Sequence, residues 1–245
     1  QSIAIEAISS DLSKNPKVKE FLSFASAARP QSVARQLKPF RRAKPAKRKV
    51  RTITDQQQLE LMQFCSNPRD RLMILLMIET GMRIGQVLQL RHSDIESWDS
   101  KLTIHYRLDN ANEVYSKNKN PYEVVISNKW STMYTDYLIN EIDEVESDYI
   151  FTKLYRKDGG SKGEPLTYHS VKDLFLRFSS SIGENITPHM LRHSHATELL
   201  RQRVPIEIVA KRLGHSSIET TKKTYEHLTA EDIKLAIFGG KGEKQ

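Results

Sequence analysis

The segment TPHMLRHSHAT, residues Thr187–Thr197, holds the densest group of side chains that could do chemistry. Its second residue is a proline, which suits the first turn of a helix. His189 and Arg192 are three residues apart and therefore share a helical face, and His193 lies nearby. Together they could hold a phosphate, because arginine donates a forked pair of hydrogen bonds and histidine can donate or move a proton. The alternative is a polar surface face with three histidines by chance.

A second candidate segment is Leu213-Gly214-His215, which Tyr225 follows after ten residues. A glycine here can end a helix, and this would place His215 at a turn. Taken alone, Tyr225 is more often a core or surface tyrosine than a nucleophile.

A third segment places Arg83 just after a glycine stop at residue 81, at the start of the next helix, in the sequence TGMRIGQV. Because a helix N-terminus with an arginine beside it can bind phosphate, Arg83 is a candidate phosphate ligand. The alternative is an ion pair with Asp94 or Glu79. None of the three segments contains the H-E-x-x-H pattern of zinc proteases, and the chain has no Walker motif.

Composition limits the class of protein. The chain has 245 residues, of which 38% are hydrophobic and 28% charged, so a wholly disordered chain is excluded. No apolar run approaches the roughly 18 residues that span a bilayer. The single cysteine, Cys65, excludes an internal disulfide and a cysteine-rich zinc site. We therefore expect an intracellular protein without a membrane partner.

The positive charge is concentrated in one stretch. The chain has 38 Lys and Arg against 30 Asp and Glu, a net charge of +8. Residues 29–51 hold ten basic residues and no acidic one, so they carry +10 and the rest of the chain −2. This stretch predicts contact with a polyanion, most commonly nucleic acid, and the alternative is a solvated tail or linker.

Periodicity and capping signals predict a mostly helical chain. Residues 1–28 hold one or two short helices, and residues 29–51, interrupted by prolines, form an extended linker. Thr54 and Gln57 form a capping-box pattern, and Gly81 is a helix stop. The predicted helices are Asp55–Cys65, Arg69–Thr80, Ile84–Leu90, Lys129–Ile142, Tyr168–Ser180, Pro188–Gln202 and Ile206–Leu213, and the predicted strands are Lys101–Tyr106, Tyr122–Ile126 and Tyr149–Phe151. The fold class is therefore α+β, mostly helical with a small antiparallel sheet, rather than doubly wound.

Four segments now stand in a specific order: TGMRIGQVLQL, SKNKNPYEVVIS, TPHMLRHSHAT and LGHSSIETTKKTY. Together they resemble the tyrosine recombinase, or phage integrase, family over roughly residues 52–230. The resemblance implies a catalytic domain at residues 52–245, whose C-terminal segment 230–245 links protomers. Residues 1–28 would be the remnant of a helical core-binding domain whose beginning is missing. Residues 29–51 would be a DNA-contacting linker, with contacts from Arg41, Arg42, Lys44, Lys47, Arg48, Lys49 and Arg51.

The resemblance also implies the catalytic residues. They are a first arginine, a lysine in a β-hairpin, a His-x-x-Arg pair, a second histidine and a nucleophilic tyrosine: Arg83, Lys117, His189, Arg192, His215 and Tyr225. Lys119 is a near rival of Lys117. Gln86 departs from the family pattern, in which many members have glutamate. Because that glutamate is a supporting group, we expect the change to alter how Arg83 is held rather than to abolish activity.

The activity implied by the resemblance is DNA cleavage and rejoining through a 3′-phosphotyrosyl bond, without metal, cofactor or ATP. Lys117 would be the general acid and His189 the base, and His193 and His195 would have structural roles. The implied partners are double-stranded DNA and three further copies of the chain on synapsed DNA, with a monomer in free solution and a prokaryotic cytoplasmic location. The alternatives are a type IB topoisomerase-like or resolvase activity using the same site, or a catalytically silent DNA-binding member.

Overall fold

The computed structural model describes residues 50–96, 99–114, 119–142, 146–154, 162–215 and 217–225, together with Pro16. The chain divides into two compact units, residues 1–48 and 49–245. The predicted helices of residues 1–28 and most of the basic stretch lie outside the described residues.

The second unit is mostly helical, as predicted, and its helix bounds agree with the predicted ones to within a few residues. The helices are α1 (Asp55–Phe64), α2 (Pro68–Thr80), α3 (Ile84–Leu88), α4 (Asn128–Glu141), α5 (Tyr168–Ile182), α6 (Pro188–Arg201) and α7 (Ile206–Arg212), followed by helical residues 218–225, here α8. No helix of the described part is both long and apolar enough to cross a membrane.

Local capping interactions explain why the first helices begin and end where they do. The Thr54 side chain accepts a hydrogen bond from the Gln57 N–H at 3.2 Å, and Gln57 completes the capping box. The Asn67 side chain caps α2 in the same way. Gly81 ends α2 at φ +64°, a left-handed conformation that favours glycine, and its N–H donates to Met77 O at 3.0 Å. These caps fix the chain direction on both sides of Arg83.

A three-stranded antiparallel sheet lies between α3 and α4 in the chain, and its strands are hydrogen-bonded in sequence order. Its strands are β1 (Ile95–Glu96), β2 (Lys101–Ile104) and β3 (Tyr122–Val125). Leu102 pairs with both Ile95 and Val124. The sequence did not reveal β1, because two residues are too few to show an alternating pattern, and β2 is shorter than predicted.

The predicted strand Tyr149–Phe151 is wrong. Tyr149 and Thr152 form only isolated bridges, with Arg91 and Pro165 respectively. Ile150 and Phe151 are buried in the core. Their β-forming side chains reflect burial of an irregular connection rather than strand pairing.

The polar residues 105–114 that follow β2 are irregular, and side-chain amides fix them to the helical body. Asn110 Nδ2 donates to Val114 O at 2.7 Å. Asn112 Nδ2 donates to Leu88 O at 3.0 Å and to Leu166 O at 2.9 Å. These contacts join the segment to the end of α3 and to the chain that enters α5.

Helix α2 forms the centre of the core. Its residues 72–77 are all buried, and each large apolar side chain of this kind contributes on the order of 2 kcal/mol. The helix packs against α1, α4 and α6, and the buried Trp130 on α4 donates to Leu72 O at 3.1 Å. A second, smaller cluster contains Ala196, Val209, Leu213 and Tyr225, with Val50 packed against it. This second cluster positions α8 beside α6.

Candidate active site

Arg192 joins three segments that are distant in sequence. It lies one turn into α6 and is only 4% exposed. Its Nη1 donates to Gly81 O at 2.8 Å, and its Nη2 donates to Leu213 O at 2.7 Å and lies 2.9 Å from His215 Nε2. Burial, and then the neighbouring Arg83 charge, lower the pKa of Arg192 to about 10. The guanidinium is therefore still charged at neutral pH.

Arg83 lies at the N-terminus of α3, two residues after the glycine stop. Its backbone N–H donates to Gln86 Oε1 at 3.0 Å, so Gln86 holds the arginine through the backbone. The side chain is half-buried, and burial lowers the pKa of the Arg83 guanidinium. The Arg83 charge is one of the causes that lower the pKa of Arg192, so the two guanidiniums are near enough to repel each other.

The carboxylates considered as partners of Arg83 are bonded elsewhere in the described part of the chain. Asp94 accepts from Arg107 Nη1 at 2.8 Å, and Glu79 accepts from Ser127 Oγ at 2.7 Å. Among the described residues neither carboxylate forms an ion pair with Arg83, so the alternative interpretation of Arg83 as the partner of Asp94 or Glu79 is wrong.

His215 follows a left-handed turn at Gly214, where φ is +63°. Because Arg192 can only donate, His215 Nε2 must accept its hydrogen bond, and Nδ1–H then donates to Thr221 Oγ1 at 2.7 Å. Burial, followed by Arg192 and Arg83, lowers the pKa of His215 to about 4. The ring is therefore neutral at neutral pH.

Tyr225 lies on α8 and is 2% exposed. Its Oη lies 2.9 Å from His193 Nδ1, and the two rings meet edge to face with their centroids 6.0 Å apart. Burial raises the pKa of Tyr225 to about 12, and the Arg192 charge opposes this rise. His189, the predicted base, is exposed to solvent one turn earlier on α6. The structure therefore places His193 at the tyrosine, although the sequence suggested only a structural role for it.

Tyr122, at the start of β3, is a second tyrosine of this site. A Cβ built on Gly214 would lie 2.5 Å from its Cε1 and Cζ, so the ring packs directly on that glycine. Burial raises the pKa of Tyr122, and the charges of Arg192 and Arg83 oppose the rise, so the phenol is near enough to both arginines for their charges to act on it. The sequence identified Tyr122 only as a strand residue, since nothing in its pattern indicates which face meets the arginines.

His195 has the structural role expected for it. Its Nε2 accepts from Arg212 Nε at 3.1 Å, and Arg212 Nη2 donates to Glu79 O at 2.9 Å. Burial, then Arg212, lower the pKa of His195 to about 4. The neutral ring thus connects α6 to α7 and to the end of α2.

Most of the remaining predicted residues lie outside the described residues. Lys117 and the basic residues from Arg41 to Lys49 are not among the described residues, whereas Lys119 and Arg51 are described and exposed. In the described ranges, no group of three or more His, Cys, Asp or Glu side chains could hold a metal ion.

The described groups are of the kinds that bind a phosphodiester and attack its phosphorus. Arg192 contacts the neutral His215, and the charges of Arg83 and Arg192 act on the same group of residues as the buried Tyr225. Arginines stay charged and can bind non-bridging oxygens bidentately, so they stabilise negative charge that develops on phosphorus. A tyrosine hydroxyl beside such donors is a candidate nucleophile.

The chain is similar to known recombination proteins over most of its length. The model of the phage integrase family matches residues 51–232. Transposase A from transposon Tn554 of Staphylococcus aureus is 41% identical over 189 residues, which are 77% of this chain and 52% of that protein. The tyrosine recombinase XerA of Pyrococcus furiosus is 28% identical over 200 residues, 81% of this chain and 64% of that protein. The chain thus spans about half to two thirds of the length of these relatives.

Solved structures show the same fold. The crystal structure of XerA recombinase has a TM-score of 0.60 at 20% identity and covers 80% of this chain and 67% of its own. The post-cleavage complex of XerH site-specific recombinase with palindromic difH substrate has a TM-score of 0.58 at 23% identity, covering 78% of this chain and 53% of its own. The family model matches residues 51–232, which are more than half of the chain, and this match shows that the chain belongs to the phage integrase family of tyrosine recombinases.

Proposed function

We propose that this chain carries the catalytic domain of a site-specific DNA recombinase of the integrase or transposase type. The observation that carries the proposal is Arg192. Its guanidinium is buried against two carbonyls and beside His215, and Arg83 and the buried Tyr225 are near enough to affect its pKa. Such a cationic pocket in a family of DNA strand transferases is suited to a scissile phosphate.

The reaction is a transesterification. The Tyr225 Oη–P bond forms as the P–O5′ bond breaks, giving a 3′-phosphotyrosyl link and a 5′-hydroxyl. Arg83 and Arg192 hold the non-bridging oxygens and stabilise charge on the pentacoordinate phosphorus. Lys117 is the proposed general acid that protonates O5′, since a lysine pKa falls near other cations. The phosphotyrosyl bond keeps the energy of the broken bond, so rejoining needs no ATP.

The function is tested by trapping the covalent adduct. The 245-residue chain is incubated with duplexes that tile the DNA flanking its coding sequence, each nicked so that cleavage releases a short oligonucleotide. We expect an SDS-resistant adduct on one duplex, none with Tyr225→Phe, and wild-type yield with the matched exposed variant Tyr168→Phe. No adduct on any duplex, or an adduct of wild-type yield with Tyr225→Phe, would contradict the proposal.

Two rival functions give different results in the same system. A catalytically silent DNA-binding protein would shift these duplexes in a gel without forming any adduct. A type IB topoisomerase-like enzyme would form the adduct and relax supercoiled plasmid but would not exchange strands between two duplexes. We expect strand exchange, because the relatives named above are recombinases and a transposase.

We further propose that the protein acts in the prokaryotic cytoplasm as a tetramer on two synapsed duplexes and is monomeric when free. The support is chemical: strand exchange requires the 5′-hydroxyl of another strand beside the phosphotyrosine, so two cleaved duplexes must be held together. Sedimentation of the protein with and without DNA that contains the cut site measures this. A species that stays monomeric on that DNA while exchanging strands would contradict it.

A further inference from the structure

His193 touches the nucleophile, although the family resemblance gave it no catalytic role. Its Nδ1 lies 2.9 Å from Tyr225 Oη, across 32 residues of sequence and between two different helices. The edge-to-face ring contact fixes the direction of approach. The histidine is half-buried, whereas His189 on the preceding turn is exposed. The contact therefore distinguishes the two histidines, which helical spacing alone could not do.

The chemistry of the two groups fixes the direction of the hydrogen bond. Burial, then His189 and Arg192, lower the pKa of His193 below its usual 6.5, so the ring is neutral near pH 7. Among the described residues, His193 Nδ1 is the one hydrogen-bond partner of Tyr225 Oη. If Nδ1 carried the proton, the buried hydroxyl hydrogen would have no acceptor among the residues that the structure describes, which costs about 1–3 kcal/mol. Tyr225 O–H therefore donates to an unprotonated Nδ1, and the other ring nitrogen carries the imidazole proton.

We propose that His193 Nδ1 accepts the Tyr225 proton as Oη attacks the phosphorus, which makes His193, and not His189, the general base of cleavage. The inference rests on the recombinase function proposed above. In the cleavage step the Oη–P bond forms, the P–O5′ bond breaks, the phenol proton moves to Nδ1, and the general acid gives its proton to O5′. In rejoining, protonated His193 returns its proton to Oη as the phosphotyrosyl bond breaks.

Proton transfer must accompany bond formation rather than precede it. The pKa of Tyr225 is about 12 and that of His193 is below 6.5, so transfer alone would produce tyrosinate in fewer than about one in 10⁵ molecules. The phenol becomes much more acidic once Oη begins to bond to phosphorus. His193 then receives a proton that the oxygen can no longer hold.

The charged and titratable groups around His193 come from three elements. His189 and Arg192 lie on its own helix, His215 lies in the turn after α7, and Tyr225 lies on α8. Arg192 lowers the pKa of the tyrosine as well as that of His193. The same cation thus keeps the base unprotonated and assists the nucleophile.

The test measures the attack by Tyr225 separately from the protonation of the leaving group. A substrate with a bridging 5′-phosphorothiolate has a leaving group that needs no proton, so its cleavage rate reports on the attack by Tyr225. His193→Asn keeps a side-chain acceptor near the position of Nδ1 but cannot take up a proton at neutral pH. We expect adduct formation to slow by about 10²-fold or more, the usual contribution of a general base. The matched exposed variant His169→Asn should keep the wild-type rate.

The pH profile separates proton transfer from mere positioning. The wild-type rate should be level between about pH 7 and 9, because the base is already unprotonated there. His193→Asn should instead gain about tenfold per pH unit toward the tyrosine pKa, because it depends on tyrosinate. A rate within about threefold of wild type, with a level profile, would show that the contact only holds the ring.

Two further outcomes distinguish failure of the inference from failure of the proposed function. If His193→Asn does not fold, the wild-type profile decides: a rate that rises tenfold per pH unit throughout this range overturns the inference. If wild type forms no adduct, or Tyr225→Phe forms one, the proposed function fails whatever His193 does. An adduct that depends on Tyr225 but not on His193 removes the inference alone.

Discussion

Arg192 should be needed for folding as well as for catalysis, whereas Arg83 should be needed for catalysis alone. In Arg192→Ala the carbonyls of Gly81 and Leu213 lose their donor inside the protein. Each unpaired buried carbonyl costs about 1–3 kcal/mol. Relief of the repulsion between Arg192 and Arg83 offsets part of this cost. We therefore expect the free energy of unfolding to fall by about 2–4 kcal/mol for Arg192→Ala and by less than about 1 kcal/mol for Arg83→Ala.

The assay is urea unfolding followed by circular dichroism, with the exposed Arg177→Ala as the matched control. With a slope of about 1–3 kcal/mol per M urea, the midpoint of Arg192→Ala should fall by about 1–2 M. Arg192→Lys should recover only part of the loss, because one ammonium cannot replace the planar fork that reaches both carbonyls. Equal midpoints for Arg192→Ala and Arg83→Ala would refute the argument. At a temperature where both variants are folded, each should form adduct about 10²-fold or more slowly than wild type.

Three further predictions concern the lysine, the basic stretch and the turn before the second histidine. The 5′-phosphorothiolate substrate should restore cleavage to Lys117→Ala; restoration of Lys119→Ala, with no defect at Lys117, would transfer the general-acid role. Removing residues 1–48 should lower the slope of log affinity against log salt by about two to three units, because each lost phosphate contact contributes about 0.9. An unchanged slope would mean that the basic stretch is a solvated tail. Gly214→Ala should slow adduct formation by about 10²-fold, because the new Cβ would lie 2.5 Å from the phenol ring packed on it. Gly183→Ala is its control, since it has the same positive φ but nothing within 4 Å, and equal rates for the two variants would contradict this reasoning.

The sequence predicted the parts of the fold that local chemistry determines. Thr54 with Gln57, and the glycine at 81, mark helix ends because capping and positive φ depend on a few adjacent residues. The β1 strand and the irregular connection at residues 149–152 could not be predicted, because their geometry depends on which distant segments cover them. The fold class and the family could still be predicted, because the order of the motifs along the chain does not depend on these local details.

In the site, too, local features could be predicted from the sequence and contacts between distant segments could not. Spacing placed His189, Arg192 and His193 on neighbouring parts of one helix, but only the packing of α8 decides which histidine meets Tyr225. The burial of Arg192 was not predictable either, because a buried arginine is rare and its carbonyl acceptors lie 111 and 21 residues away. Whether the general acid is Lys117 stays a prediction, since that residue lies outside the described part.

The contacts of Ile53 and Val50 define where the catalytic domain can be cut for separate expression. Ser194 Oγ accepts from Ile53 N–H at 2.7 Å and donates to Ile53 O at 3.0 Å, so both backbone groups of that residue are bonded to α6 beside His193. Val50 packs on the cluster that contains Tyr225. A fragment that starts at residue 49 keeps both contacts. A fragment that starts at α1 would retain every residue of the catalytic set. It would lose the contacts of Val50 and Ile53 that hold α8 and α6 around the nucleophile Tyr225.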